Sequence, residues 1–367
     1  MNYRTDLAVE LDEMLTGEGK RKAAGVRCDA DSADDATTAA DRPVGGTGAR
    51  CGGAGNVTGY IRKQAQIDED ISVIDIEITD EEGERAFGKP KGRYVTLDVQ
   101  GVLDQKDRIK ERATAALADV LGKFIKHDYY LKVLVVGLGN EKVTPDSLGP
   151  HTVDKVKITS HLFKIFECDG DFDYSNVCGF NPSVTGITGL ETADLIDRVV
   201  SMAKPDAVLA IDALAAKDIR RLSTTIQVCD TGIMPGAGMG NHRKEISAKT
   251  VGCPVICIGV PTVIDARTLI LDAGKALAES ASGPGPSAVW SPTQDSNFGP
   301  NPKQTSAPDP NPSAAGSRDP LTAYLEEGCF DMIVTSTDID EIIKDFADII
   351  ANAINITLHP GIYSKVK

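Results

Sequence analysis

Four short, uninterrupted apolar runs, Val133–Val136, Ala207–Ile211, Val255–Val260 and Met332–Val334, constrain the fold of this chain more than any other feature. A strand with one wet face alternates apolar and polar residues, whereas a run that is apolar throughout is buried on both faces. Each run is followed by sequence of helical spacing. Alternation of this kind is expected to build an α/β protein, a mostly parallel sheet flanked by helices. Three helices are marked by their apolar spacing: 107–126 through Ile109, Ala113, Leu117, Val120 and Phe124; 190–203 with Thr188 as N-cap; and a last one capped by Asp338 that carries Ile342, Phe346, Ile349 and Ile350. Two earlier segments differ, because Ile74, Ile76 and Ile78 alternate with polar residues, as do Val95, Leu97 and Val99. That is the period of half-buried strands, and a smaller antiparallel pair is expected before the main sheet.

Two stretches are unsuited to a core. Residues 17–59 hold ten Gly, with Val26, Val44 and Val57 as the only large aliphatics, and residues 281–320 hold nine of the 19 Pro. Too little apolar surface is present there to offset the entropy of ordering, so both are expected as low-complexity insertions, the first disordered and the second an extended loop. The catalytic domain is then expected at 60–280, with a strand and helix of the same domain at 321–367.

Asp and Glu number 54 against 39 Lys and Arg, a net charge of −15 that opposes contact with phosphate backbones, so no direct nucleic-acid partner is expected. No apolar run approaches the roughly 20 residues that span a bilayer, and the first residues lack a secretory signal, so a cytoplasmic chain is expected. The eight Cys form no CxxC pair, and the five His lack ligand spacing. No metal or other cofactor is expected.

Open sheets place chemistry beyond the carboxyl ends of their strands. Past Val136 come Gly137-Leu138-Gly139-Asn140 and then Pro145-Asp146; past Ile211 comes Asp212; past Val260 comes Asp265. The glycines do not make a dinucleotide fingerprint, because the third position is Lys142, and no Gly-Lys-Ser/Thr follows for a P-loop. Asp146 and Asp212 are the sharper pair. Converging on one crevice, they would share a proton and serve as general base and general acid towards water and an amide; taken separately, they would only favour a helix start and end a strand. Asn140 and Asp265 are candidates for the cleft wall. Asp230-Thr231-Gly232 spells the triplet of pepsin-like proteases, but those are all-β folds, and a loop that shapes a cleft is the expected role here.

Taken in order, Arg4-Thr5-Asp6-Leu7-Ala8-Val9-Glu10, Gly92-Arg93-Tyr94-Val95-Thr96-Leu97, Val143-Thr144-Pro145-Asp146-Ser147-Leu148-Gly149-Pro150, Gly186-Ile187-Thr188-Gly189-Leu190-Glu191-Thr192, Ile211-Asp212-Ala213-Leu214-Ala215-Ala216 and Gly259-Val260-Pro261-Thr262-Val263 resemble the germination protease family of endospore-forming bacteria. The resemblance implies an aspartic-type endopeptidase of the forespore and spore core. It implies small acid-soluble spore proteins as substrates, and a homotetramer made as a self-processing zymogen. The family's catalytic aspartates fall on Asp146 and Asp212, and its processed bond on Asp6–Leu7, so that residues 1–16 hold a propeptide and the start of the mature chain. That terminal segment is expected to be loosely held and to reach the crevice in extended form. The chain is also similar to hydrogenase maturation endopeptidases, which leaves a metal-dependent maturation peptidase as the alternative within hydrolases. A nucleotide-binding module using the Gly137/Gly139 turn is the alternative outside them.

Overall fold

Val133 and Val135 contribute to one hydrophobic cluster while Leu134 and Val136 contribute to another, which is why the run carries no polar residue. The same division separates Leu209 and Ile211 from Val208 and Ala210, and Ile256 and Ile258 from Val255 and Cys257. A computed structural model of the chain describes residues 5–16, 58–236, 243–281 and 332–363. The stretches expected outside the core, 17–59 and 281–320, lie outside the described residues except for Thr58, Gly59 and Ala281.

Among the described residues nine strands form one sheet. They are β1 Tyr60–Gln66, β2 Ser72–Ile78, β3 Gly92–Asp98, β4 Lys132–Gly137, β5 Asn176–Phe180, β6 Ala207–Ala216, β7 Thr225–Cys229, β8 Val255–Asp265 and β9 Ile333–Val334. The helices that matter below are α1 Ala8–Thr16, α2 Glu81–Phe87, α3 Ile109–Leu121, α4 Leu148–Val153, α5 Thr192–Ala203 and α6 Ile339–Leu358. The strand order is β1-β2-β3-β7-β8-β6-β4-β5, with β9 on β8.

The sheet is mixed, not mostly parallel. Only β8, β6, β4 and β5 run parallel; β1 to β3, β7 and β9 pair antiparallel. Connection length explains the difference, since the link from Ala216 to Thr225 is too short for the crossover that parallel strands need. The chain therefore turns back into β7, which joins β8 on one side and β3 on the other. The expected β2–β3 pair forms as read, with Ile74 opposite Thr96 and Ile76 opposite Tyr94, but it is an arm of the same sheet. Strand β9, expected to be parallel, pairs antiparallel with the end of β8.

Helices α3, α4 and α6 cover one face, and Phe346, Ile349, Ile350 and Ile354 of α6 are fully buried against it. Thr188 does not cap α5. It closes the short helix Thr185–Thr188, and α5 begins after Glu191. The opposite face is covered by α5 and, over the antiparallel arm, by the amino-terminal segment.

That segment is not loosely held. Leu7, Ala8 and Val9 are fully buried, and a buried Leu or Val contributes about 1.5–3 kcal/mol. Asp12 pairs with Arg62 of β1 at 2.7 Å, and Glu13 pairs with buried Arg221 at 2.5 Å. Removing one partner of a buried pair costs about 3–5 kcal/mol, so α1 is part of the core.

The division of the chain by contacts gives a second unit, Ala266–Met332, whose described residues form mainly the helix Ala266–Ala281. No described helix is long and apolar enough to cross a membrane.

Candidate active site

Beyond β4 the chain makes a tight loop that closes on Asp146. The amide of Asn140 donates to the Asp146 carboxylate at 2.9 Å and to its carbonyl at 3.0 Å. Gly139 permits this approach: its φ is +107°, and a Cβ there would lie 2.0 Å from the Asp146 carbonyl oxygen. The Asn140 side chain accepts from the Lys142 amide and so stiffens its own turn. Asp146 ends a 3₁₀ turn, Thr144–Asp146, just before α4.

A β-bulge holds the loop from the other side. In the β6–β8 pairing Leu214 faces Pro261 and Ala215 faces Val263, which leaves Thr262 as the extra residue. Its hydroxyl, completely buried, donates to the Pro145 carbonyl at 2.7 Å, and its own carbonyl accepts from Thr335 at 2.7 Å.

Asp212 does not follow a strand end. Strand β6 continues through it to Ala216, and Asp212 lies opposite Gly259 of β8. Ala213, Ala215 and Ala216 have helical propensity, but pairing with β8 overrides it. Asp212 is 5% exposed, and burial raises its pKa well above the ordinary carboxylate range, with the charges of Asp146 and Asp6 adding to the rise. Burial also pushes Asp146 up to about 6, against the pull of the Asn140 amide. Burial thus holds both carboxyls above the ordinary range, and the Asp146 charge adds to the rise at Asp212.

The segment through Asp6–Leu7 lies in the same cleft. The Asp6 amide donates to the Ala215 carbonyl at 3.2 Å, and the Asp6 carboxylate accepts from the Ala215 amide at 2.9 Å. The Asp6 carbonyl accepts from Lys89 Nζ at 2.9 Å and from Gln227 Nε2 at 3.0 Å, and Gln227 Oε1 accepts from the Ala8 amide at 2.8 Å. A cavity of about 240 Å³ adjoins this bond, with Asp6, Lys89, Asp212, Gln227 and Gly259 in its wall.

Four residues after Asp6, the Glu10 carboxylate accepts from the amides of Lys217 and Asp218 at 2.8–3.1 Å and from the Thr5 hydroxyl. Burial nevertheless pushes Glu10 up to about 7. A carboxylate whose pKa is raised on folding contributes most below its unfolded value, and that contribution is lost as pH rises through about 7. Amide protection across α1, corrected for intrinsic exchange, is therefore expected to weaken as pH rises from about 4.5 to about 7, and Glu10→Gln to flatten that dependence. An unchanged slope in the variant would assign the effect to another group.

Of the residues read from the sequence, Asp146, Asp212, Asp6 and Leu7 come together. Asp265 does not join them: it ends β8 opposite Ile333, about 20 Å along the strand from Gly259 at roughly 3.3 Å per residue. In the pepsin-like triplet the Asp230 carboxylate accepts from the Arg93 amide at 2.8 Å, while Thr231 and Gly232 line the cavity, as a cleft-shaping loop should. Among the described residues no three His, Cys, Asp or Glu side chains cluster as a metal site would need. The sequence reading missed Lys89, Gln227 and the cradle of Glu10.

Fold and site define a class, mixed α/β proteins in which a buried aspartate and a half-buried one, both with raised pKa, stand beside a bound stretch of peptide. The germination protease family model matches residues 52–278. The germination protease of Caldanaerobacter subterraneus subsp. tengcongensis is 38% identical over 305 residues, 83% of this chain and 89% of that protein. That of Bacillus subtilis is 36% identical over 338 residues, with 85% and 89% covered, and that of Oceanobacillus iheyensis 38% over 380 residues, with 97% and 94% covered. The chain belongs to the germination protease family and is an endopeptidase.

Proposed function

We propose that this endopeptidase starts the degradation of small acid-soluble spore proteins in the germinating spore, using Asp146 and Asp212 as a general base and general acid, and that it first cuts its own Asp6–Leu7 bond. One observation supports the reading: Asp6 and Asp212 line one cavity, and the charges of Asp146 and Asp6 both raise the Asp212 pKa. Ionised Asp146 takes a proton from the attacking water, and protonated Asp212 supplies one to the departing amine. The contacts of the bound segment also describe a substrate. A carboxylate is held by the Ala215 amide, an aliphatic residue enters the space of fully buried Leu7, and a second carboxylate four residues on takes the Lys217 and Asp218 amides. The resemblance to the family extends the proposal to a homotetramer in the forespore and spore core.

Purified protein is expected to acquire a new amino terminus at Leu7 and then to cut a small acid-soluble spore protein before an aliphatic residue that follows an acid. Terminal sequencing and mass spectrometry of the fragments read both events. Active enzyme that retains Met1 would remove the self-processing step, and absence of cleavage in the spore protein would remove the substrate assignment.

A further inference from the structure

Three residues stand level across neighbouring strands. Asp212 of β6 pairs with Gly259 of β8, and Gly259 pairs with Gln227 of β7. Directly paired residues project to the same face, so Asp212 and Gln227 stand on one face about 10 Å apart, two strand spacings of roughly 4.8 Å. Between them Gly259 presents no side chain, and a Cβ there would strike Leu214 at 2.5 Å. The Leu214 side chain fills that place, and beyond it the Asp6 residue bonds Ala215 of β6 through its amide and carboxylate and Gln227 of β7 through its carbonyl.

Gln227 spans the Asp6–Leu7 bond. It is 6% exposed and anchored in the middle of β7 between β3 and β8. Its Oε1 is committed to the Ala8 amide, which turns Nε2 towards the Asp6 carbonyl. Lys89, which follows α2, brings its ammonium to the same oxygen. A carbonyl with two lone pairs thus accepts two donors, one of them cationic. No other hydrogen bond to this oxygen is needed to satisfy it, and two donors exceed what holding an ordinary peptide in place requires.

We propose that Lys89 and Gln227 form the oxyanion site of this peptidase, an inference that rests on the proposed cut at Asp6–Leu7. Water oxygen bonds to the Asp6 carbonyl carbon as Asp146 takes the water's proton. The C=O π pair moves onto the oxygen, and Lys89 Nζ and Gln227 Nε2 hold the resulting negative charge. The C–N bond then breaks, its electron pair leaves with the Leu7 nitrogen, and that nitrogen receives the proton of Asp212. The products are a new carboxyl group on Asp6 and a new amine on Leu7. The same two donors serve the carbonyl of a substrate protein that replaces the segment, so both residues are catalytic in self-processing and in turnover.

The test uses the full chain with Lys89→Met, Lys89→Arg and Gln227→Met, each compared with wild type in self-trimming and in cleavage of a purified small acid-soluble spore protein. Loss of one oxyanion donor lowers kcat by about 10²–10³-fold. Lys89→Met and Gln227→Met are expected to show that loss in kcat with KM changed far less, and Lys89→Arg to recover part of it. The acid limb of the pH profile, near the Asp146 value of about 6, should stay in place, because the carboxylate pair is untouched. Lys89 is only half-buried, so its variants test the proposal even where Gln227→Met unfolds. Wild-type kcat in folded Lys89→Met would overturn it, as would a loss carried wholly by KM. Wild-type protein that neither trims itself nor cuts the spore protein would instead overturn the proposed function, so the two failures are distinguishable.

Discussion

Replacing Asp212 by Asn is expected to abolish turnover while leaving the protein folded, a fall of at least about 10³-fold in kcat. Asparagine keeps the shape and supplies no transferable proton. Because burial pushes Asp212 towards its neutral form, the neutral amide suits the site, and the thermal midpoint should change little. Asp146→Asn should lose as much for the opposite reason, since it can no longer accept a proton from water. If the two residues act as the proposed unit, the double variant should be little worse than either single one. In wild type the rate is expected to fall as pH drops through about 6, where Asp146 becomes protonated and ceases to be a base. Either folded single variant turning over at the wild-type rate would end the assignment of the pair.

The second large effect comes from a residue with no chemistry of its own. Gly139→Ala places a methyl group 2.0 Å from the Asp146 carbonyl oxygen, at a φ of +107° that an L-residue adopts only under strain. The loop must then open, and the two hydrogen bonds from the Asn140 amide to Asp146 open with it. A catalytic group displaced by about 1 Å costs on the order of 10²-fold in rate. The expected result is a loss of kcat of at least that size. Gly139 is itself buried, so the strain should also cost about 1–3 kcal/mol of stability, and kcat is read on the fraction that remains folded. Unimpaired turnover in Gly139→Ala would mean that Asp146 is not held where the reaction needs it.

How much of this was legible beforehand depended on which signals are local. The buried runs located the central strands because burial on both faces leaves its mark at every residue. Asp146 and Asp212 stood out because each broke or closely followed such a run. Strand direction leaves no mark in periodicity, and the antiparallel course of β7 followed only from a link too short to cross over. Gln227 was hidden for the same reason. Between Ile226 and Val228 it reads as the wet position of a half-exposed strand, and only its place between β3 and β8 makes it an interior residue. Thr262 likewise gives no warning of a bulge. The amino-terminal segment was misjudged because position near a terminus suggested few contacts, whereas Leu7 and Val9 are buried among residues of distant strands and Glu13 is paired with Arg221 of the turn between β6 and β7.

The β3–β7 pairing has a consequence for how such a site is assembled. Asp212 stands on the parallel arm of the sheet, Gln227 on β7, and Lys89 just ahead of β3. Tyr94 meets Cys229 and Asp98 meets Thr225, so strands far apart in the chain must find each other, a step slower than the closing of local helices and hairpins. Until they pair, nothing in the sheet brings Lys89 and Gln227 to one carbonyl oxygen. On the proposed assignment, proteolytic competence is expected only once that long-range pairing has closed.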